Sequence, residues 1–267
     1  MNQCHRARSG FQAGPAPVVF NFFRQFKALI DEFKPNRVYV VLEGRPVKRY
    51  ELLPEYKATR KVAEDDPKYA ELQRFFSQKE QIVDLLSKYF PVSVIRHATS
   101  ECDDTIHNLI GLSSSAIPWT VVSNDTDFIQ LIQKYSNVKV WNPIKKEFLS
   151  APEAYDYVTW KALRGDGSDN VPGIPGVGDK IASDLASDPD RLAEFLADPG
   201  HASQFERNYE LISFREWSDP ERMEMTSTVP TKSWKAVKHV FDDYGFKSLT
   251  KDESWQKYVG SFDHLWG

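Results

Sequence analysis

Cysteine is nearly absent from this chain: only Cys4 and Cys102 occur in 267 residues, which excludes a disulfide framework and a cysteine-rich zinc site. Cys102 reads as a small apolar filler. The six histidines show no metal-ligand spacing, so an imidazole-built metal site is excluded as well. No uninterrupted apolar run reaches about 18 residues, and no signal-peptide type of apolar run comes after Met1-Asn2-Gln3-Cys4-His5-Arg6, so the chain reads as cytosolic. Internal repeats and low-complexity segments are missing. An overall positive charge is missing too: the net charge is −4 and the isoelectric point near 5.9, which excludes a protein coated in cations but leaves local patches open. What is present, 41% apolar and 13% aromatic residues, supports a real core.

Within this acidic chain the segment from Arg45 to Lys61 is basic, with Arg45, Lys48, Arg49, Lys57, Arg60 and Lys61 set against Glu51 and Glu55. Such a run is commonly a solvated face. Tyr50 and Tyr56 lie among the cations, and an aromatic ring can stack on an unpaired base, which favours a polyanion partner.

Hydrophobic spacing gives alternating elements. Residues 18–33 place Val19, Phe22, Phe23, Phe26, Leu29, Ile30 and Phe33 at helical spacing, ended by Pro35-Asn36. Residues 38–42 (VYVVL) form a continuous β-prone run of buried parallel type, with Glu43 at its carboxyl end. Residues 68–90 read as a long amphipathic helix, 92–95 as a strand, and Ser100 as the start of another helix. Residues 119–123 make a further strand with Asp125 and Asp127 directly after it, then a helix through Phe128 and Leu131, and a short strand at 138–141. Crevices in open α/β sheets lie beyond the carboxyl ends of the strands, so Glu43, Asp125 and Asp127 are expected to converge there. From about residue 151 the composition becomes that of a smaller helical part.

Three acidic clusters stand far apart in the sequence: Glu101-Cys102-Asp103-Asp104, Asn124-Asp125-Thr126-Asp127 and Gly165-Asp166-Gly167-Ser168-Asp169-Asn170. Ser100 and Asp103 fit a capping arrangement, yet capping does not account for three acids within four residues unless a cation offsets their repulsion. Asp125 and Asp127 fit either a capped strand-to-helix turn or a metal site, and their place after a strand favours chemistry. Asp166, Ser168 and Asp169 alone would pass as turn residues. Together the carboxylates suit hard ions, two of which about 3.5–4 Å apart stabilise both the attacking and the leaving oxygen in phosphodiester hydrolysis. Gly173, Gly176 and Gly178, stiffened by Pro172 and Pro175 and succeeded by Lys180, form either a helix-helix turn or an anion cradle.

These motifs resemble the flap endonuclease or 5′-nuclease family, in its bacterial and bacteriophage 5′→3′ exonuclease branch. The family's YKxxR is matched by Tyr56-Lys57-Ala58-Thr59-Arg60, its ExDD by Glu101 to Asp104, its DxD by Asp125 to Asp127, and its GDxSDNxPGxPGxG by Gly165 to Gly178. The resemblance implies an α/β, PIN-like fold: a mostly parallel central sheet flanked by helices in a nuclease core (1–150), a helical arch at about 45–90, and a helical part (151–267) with a helix-three-turn-helix at about 160–190. It implies that Glu101, Asp103, Asp104, Asp125, Asp127, Asp166 and Asp169 hold two Mg²⁺ or Mn²⁺ ions. Lys57 and Arg60, with Glu43, would act at the scissile phosphate. Arg45, Arg49, Tyr56, Lys61, Gly173, Gly176, Gly178 and Lys180 would contact DNA, and K⁺ would sit at the helix-three-turn-helix. The implied substrate is DNA with a 5′ flap, nick or overhang, or an RNA-DNA hybrid, cut by a monomer in the cytoplasm of a bacterial cell or a phage-infected host, with primer removal in replication as the usual role.

Two departures stand out. Glu43 occupies the place of a family Asp, and its extra methylene moves the carboxylate outward, with a water bridging it to an ion. The family also begins with a strand ending in a catalytic Asp, whereas His5-Arg6-Ala7-Arg8-Ser9-Gly10 resembles the segment just after that strand. The expectation is a sheet lacking one central strand and one ligand, from a late start codon or a fragment. Rival readings are a DNA-structure-binding protein that has lost cleavage and a single-strand-specific metal nuclease.

Overall fold

Pro17, which lacks the N–H that a first helical turn leaves unused, opens the first helix of the computed structural model, which describes residues 16–60 and 62–266. Lys61 and the segment 5–10 therefore lie outside the described residues. The described residues pack into two compact units, one of 16–42, 62–96 and 225–266, the other of 43–60 and 97–224, so the packing does not divide the chain at residue 150.

In the first unit, α1 (Pro17–Phe33) buries Val19, Phe23, Phe26 and Ile30, the stripe its spacing predicts, and ends at Lys34 in left-handed conformation. Strand β1 (Tyr39–Leu42) runs parallel to β2 (Ser93–His97), from Tyr39 opposite Ser93 to Leu42 opposite Arg96, and β2 is also flanked by β8 (Met225–Ser227). Helix α3 (Tyr69–Tyr89) spends Phe75, Ile82, Leu85 and Leu86 on the same core. That core is strongly aromatic: Phe23 stacks on Phe90 at 4.9 Å, and Phe241, Tyr258 and Phe262 close around them.

The second unit carries the chemistry-bearing residues. Strand β3 (Trp119–Val122) is parallel to β4 (Val138–Asn142), which pairs antiparallel with β5 (Glu147–Phe148). The fold is α/β as expected, but among the described residues the strands form two three-stranded sheets and a two-stranded ribbon rather than one sheet, because β1 and β3 each have a single ladder partner. Helix α2 (Val47–Leu52) and a 3₁₀ turn (Ala58–Arg60) precede α4 (Cys102–Gly111) in this unit, and α5 (Ile129–Lys134) joins β3 to β4. Helix α6 (Tyr157–Arg164) leads through an antiparallel ribbon, β6 (Gly165–Asp166) with β7 (Val171–Pro172), into α7 (Asp179–Ala186) and then α8 (Pro189–Phe195). Helix α9 (Pro199–Ile212) closes this part, with Leu211 and Ile212 packed against Val158 and Ala162.

Two glycines make the ribbon possible. A Cβ on Gly173 would lie 2.0 Å from the Arg164 carbonyl oxygen, and Gly165, at φ +82°, faces the Gly173 nitrogen at 2.2 Å from where its own Cβ would be. No described helix is long and apolar enough to cross a membrane.

Candidate metal centre

Six of the expected acids, Glu101, Asp103, Asp125, Asp127, Asp166 and Asp169, line one cleft of the second unit together with Lys57 and Arg60. Each arrives by its own device. Glu101 takes the N-cap position of α4, ahead of Asp103 and Asp104 in the first turn. The Ser100 and Asp103 capping arrangement is not formed; the Glu101 side chain does not cap either, because it is drawn to cations in the cleft. Glu43 takes over part of the task, its Oε2 accepting the Cys102 N–H at 3.3 Å. Asp125 caps the 3₁₀ turn Thr126–Phe128 by accepting from the Asp127 N–H at 2.9 Å, which turns Asp127 toward α6. Asp166 is fixed by the Ser168 N–H and hydroxyl at 2.8 and 2.7 Å.

The basic segment is pinned onto the third acidic cluster. The Lys57 N–H donates to the Asp169 carbonyl at 2.9 Å, and Asn170 Nδ2 donates to the Glu55 carbonyl at 2.9 Å. Lys57 itself has φ +56°, a left-handed conformation uncommon for a residue with a side chain. Its ammonium is bonded to Glu101 and lies 3.7 Å from Asp169, while Arg60 is bonded to Asp169. Burial works against the Lys57 charge, but Glu101 and Asp169 outweigh it and raise the pKa above the usual lysine value.

A third cation comes from α6. Lys161 is bonded to Asp127 and lies 2.6 Å from Asp166 Oδ2, with Tyr157 one turn earlier donating to Asp127 Oδ1 at 3.2 Å. Burial beside Asp127 pushes the Tyr157 hydroxyl up to about 12.

The carboxylates answer to these neighbours. Burial raises Glu101 and Asp127 above the usual range even with their cations beside them, whereas for Asp166 the bonds to Lys161 and Ser168 outweigh burial and lower it. Asp103 is pushed up to about 7, first by burial and then by Asp125, Glu43 and Glu101. Among the described residues no lysine or arginine pairs with Asp103, Asp125 or Glu43, so this side carries uncompensated negative charge. Asp127, Asp166 and Asp169 each offer a carboxylate oxygen, all three within 4.8 Å of one another. An all-oxygen donor set of this kind fits a hard divalent ion.

The sequence profile of the family described as "5'-3' exonuclease, N-terminal resolvase-like domain" matches residues 4–159. The chain belongs to the 5′–3′ exonuclease family. It is 29% identical over 198 residues to a 5'-3' exonuclease of Streptomyces coelicolor and 31% identical over 201 residues to one of Bacillus subtilis. Each alignment covers 68% of this chain, and the chain spans 63% and 64% of those relatives. In fold it is similar to the bacteriophage T5 flap endonuclease solved with DNA and metal ions, at a TM-score of 0.62 and 19% identity over 96% of both chains.

Several residues that the 5′-nuclease resemblance marked stand differently in the structure. Arg49, expected on DNA, is 3% exposed and bonded through both terminal nitrogens to Asp104 at 2.6 and 2.9 Å, with Glu101 2.9 Å away. Its remaining donors reach the Leu211 and Ser213 carbonyls, so none is left for a phosphate. Asp104, expected on a metal, is fully buried and also accepts the Arg215 N–H at 2.9 Å; it is the structural partner of Arg49. Tyr56 cannot stack on a base, because its ring is buried and its hydroxyl lies 3.0 Å from both Glu101 and Asp169, donating to one or the other.

Gly173 serves the contact with Arg164 described above, while Gly176, at φ +81°, and Gly178 have open space around them. Lys180 is exposed in the first turn of α7, beside Asp179, which pairs with Arg164. Arg45 is exposed, 5.7 Å from the Tyr50 ring centroid. Sequence reasoning missed Lys161 and Tyr157. The available signal was a lysine on the same helical face as Val158 and Ala162, four residues after a tyrosine.

Proposed function

We propose that the chain is a structure-specific 5′-nuclease that hydrolyses phosphodiesters near 5′ ends of branched or nicked DNA with Mg²⁺ or Mn²⁺. The observation that supports this reading is the Asp127, Asp166 and Asp169 triad lining one cleft with Asp103 and Asp125, which no lysine or arginine pairs among the described residues, and with Lys57 and Arg60. Divalent ions held there would activate a water and neutralise charge on the phosphate oxygens. The carboxylates hold the ions, and Asp125, through its bond to the Asp127 N–H, fixes the spacing of its neighbour. Lys57 and Arg60, already aimed into the cleft, stabilise negative charge developing on the phosphate. Glu43 accepts a proton or orients a water at the margin. The open backbone at Gly176 and Gly178, with Lys180, holds duplex phosphates at the helix-three-turn-helix, where K⁺ on backbone carbonyls would add a further charge. Arg45 and Lys61 extend the basic path along the 5′ strand, and RNA-DNA hybrids and action as a monomer belong to the same reading.

The names of the bacterial relatives support the exonuclease activity. The experiment is incubation of the purified chain with a 5′-flap duplex, with and without Mg²⁺. Ion-dependent release of the flap is the expected result. Flap binding without product in any divalent ion would instead mark a DNA-structure-binding protein.

A further inference from the structure

The cations of the cleft are distributed unevenly. Asp127 and Asp166 share Lys161, and Asp169 holds Arg60 and Lys57. The neighbouring acids Asp103, Asp125 and Glu43 have no lysine or arginine partner among the described residues. The Lys161 side chain is 9% exposed and runs from a helix whose neighbouring residues Val158 and Ala162 sit in a packed core, so its stem is held in place. Its ammonium lies 2.6 Å from one carboxylate of the triad and is bonded to another. A small divalent ion needs oxygen ligands at about 2.0–2.1 Å. An ion shared by Asp127 and Asp166 would sit within a few ångströms of that ammonium, and at such separations two cations in a partly desolvated cleft repel strongly.

We propose that Lys161 is a built-in counter-cation that holds Asp127 and Asp166 together in the ion-free protein and competes with a divalent ion for them. The two sides of the cleft then bind ions unequally. The side of Asp103, Asp125 and Glu43 accepts an ion with no cation to displace. The side of Asp127, Asp166 and Asp169 accepts one only as Lys161 withdraws, so binding there is weaker until substrate phosphate offers the ammonium another partner. Lys161 is thus a positioning residue that links occupancy of one side to the presence of DNA. This inference rests on the metal-nuclease reading above.

The test is binding of Mn²⁺ to the full chain without DNA, by isothermal titration calorimetry, for wild type, Lys161→Met and Lys161→Arg. Wild type is expected to show one tighter and one weaker ion. Lys161→Met should tighten the weaker class by about tenfold or more, a gain of roughly 1.4 kcal/mol, and leave the tighter class within about twofold. It should also melt at lower temperature in chelator and gain more from Mn²⁺ than wild type does. Lys161→Arg should keep the weaker class weak. Loss or no change of weak-class affinity in Lys161→Met would overturn the proposal while leaving the metal reading intact, whereas no divalent ion bound by any of the three proteins would overturn both. Should Lys161→Met fail to fold, side-chain ammonium NMR of wild type decides: the Lys161 signal should shift or vanish on titration with Mg²⁺ to the second equivalent, and a signal unchanged at saturation contradicts the competition.

Discussion

The main-chain N–H of Lys57 donates to the carbonyl of Asp169 at 2.9 Å, so the basic segment and the third acidic cluster are locked together by backbone before any side chain acts. The lock holds Lys57 at φ +56° and delivers its ammonium to Glu101 and Asp169. In the proposed nuclease, cations so placed would act on the reacting phosphate more than on the duplex. Lys57→Ala and Arg60→Ala should each lower the single-turnover cleavage rate by roughly a hundredfold while changing flap affinity by less than about threefold. A uniform weakening of binding across substrates, with the rate unchanged, would make them ordinary backbone contacts.

Arg49 and Asp104 form a buried two-bond pair, and removing one partner leaves the other as an unpaired charge. Arg49→Met should cost about 3–5 kcal/mol of stability in urea unfolding. An unchanged stability with weakened DNA binding would return Arg49 to the interface.

The glycines of the ribbon and turn separate by the same logic. Gly173→Ala puts a Cβ 2.0 Å from the Arg164 carbonyl oxygen, backbone that cannot yield cheaply, and should destabilise by roughly 3 kcal/mol or more. Gly176→Ala meets no neighbour and should cost only about 1–2 kcal/mol for its left-handed backbone. Gly176→Val, in a folded variant, should weaken duplex affinity if phosphate approaches the turn. Equal affinities for Gly176→Val and wild type would leave the turn a purely structural element.

His107, buried on α4, has its pKa lowered to about 4, first by burial and then by Lys134. Its folded value lies below the unfolded one, so the unfolded chain binds the extra proton and stability is lost as pH falls from about 6.5 toward 4. Replacing His107 by Gln should remove roughly 1–3 kcal/mol of that loss, read from urea unfolding at pH 7 and pH 5. Identical pH slopes for the two proteins would mean that His107 titrates normally.

Much of this was legible in the sequence for identifiable reasons. Strands ending in acids, a helix with Val19, Phe23, Phe26 and Ile30 on one face, and glycines bracketing a turn all leave local patterns, and each of those elements stands within about two or three residues of its expected place. What the sequence concealed is pairing across the chain. Arg49 and Tyr56 looked like polyanion contacts because charge and aromaticity are local signals. Their partners, Asp104, Glu101 and Asp169, lie 45 or more residues away. Lys161 was concealed by an opposite effect: a single lysine on a helix looks solvated until Asp127 and Asp166 are folded against it. The single expected sheet likewise depended on ladder partners that local β-propensity does not specify.

The proposed function requires that the carboxylates of this cleft carry out ion-dependent cleavage and do not merely hold the fold together. Its most direct test is single-turnover cleavage of a labelled 5′-flap duplex by wild type and Asp127→Asn, at saturating Mg²⁺, with flap affinity measured in parallel in Ca²⁺. Wild type should give ion-dependent product, Asp127→Asn a rate at least about a hundredfold lower, and the two proteins affinities within about threefold, roughly 0.7 kcal/mol. Equal cleavage rates in the two proteins, or product formed undiminished in chelator, would contradict the proposed function.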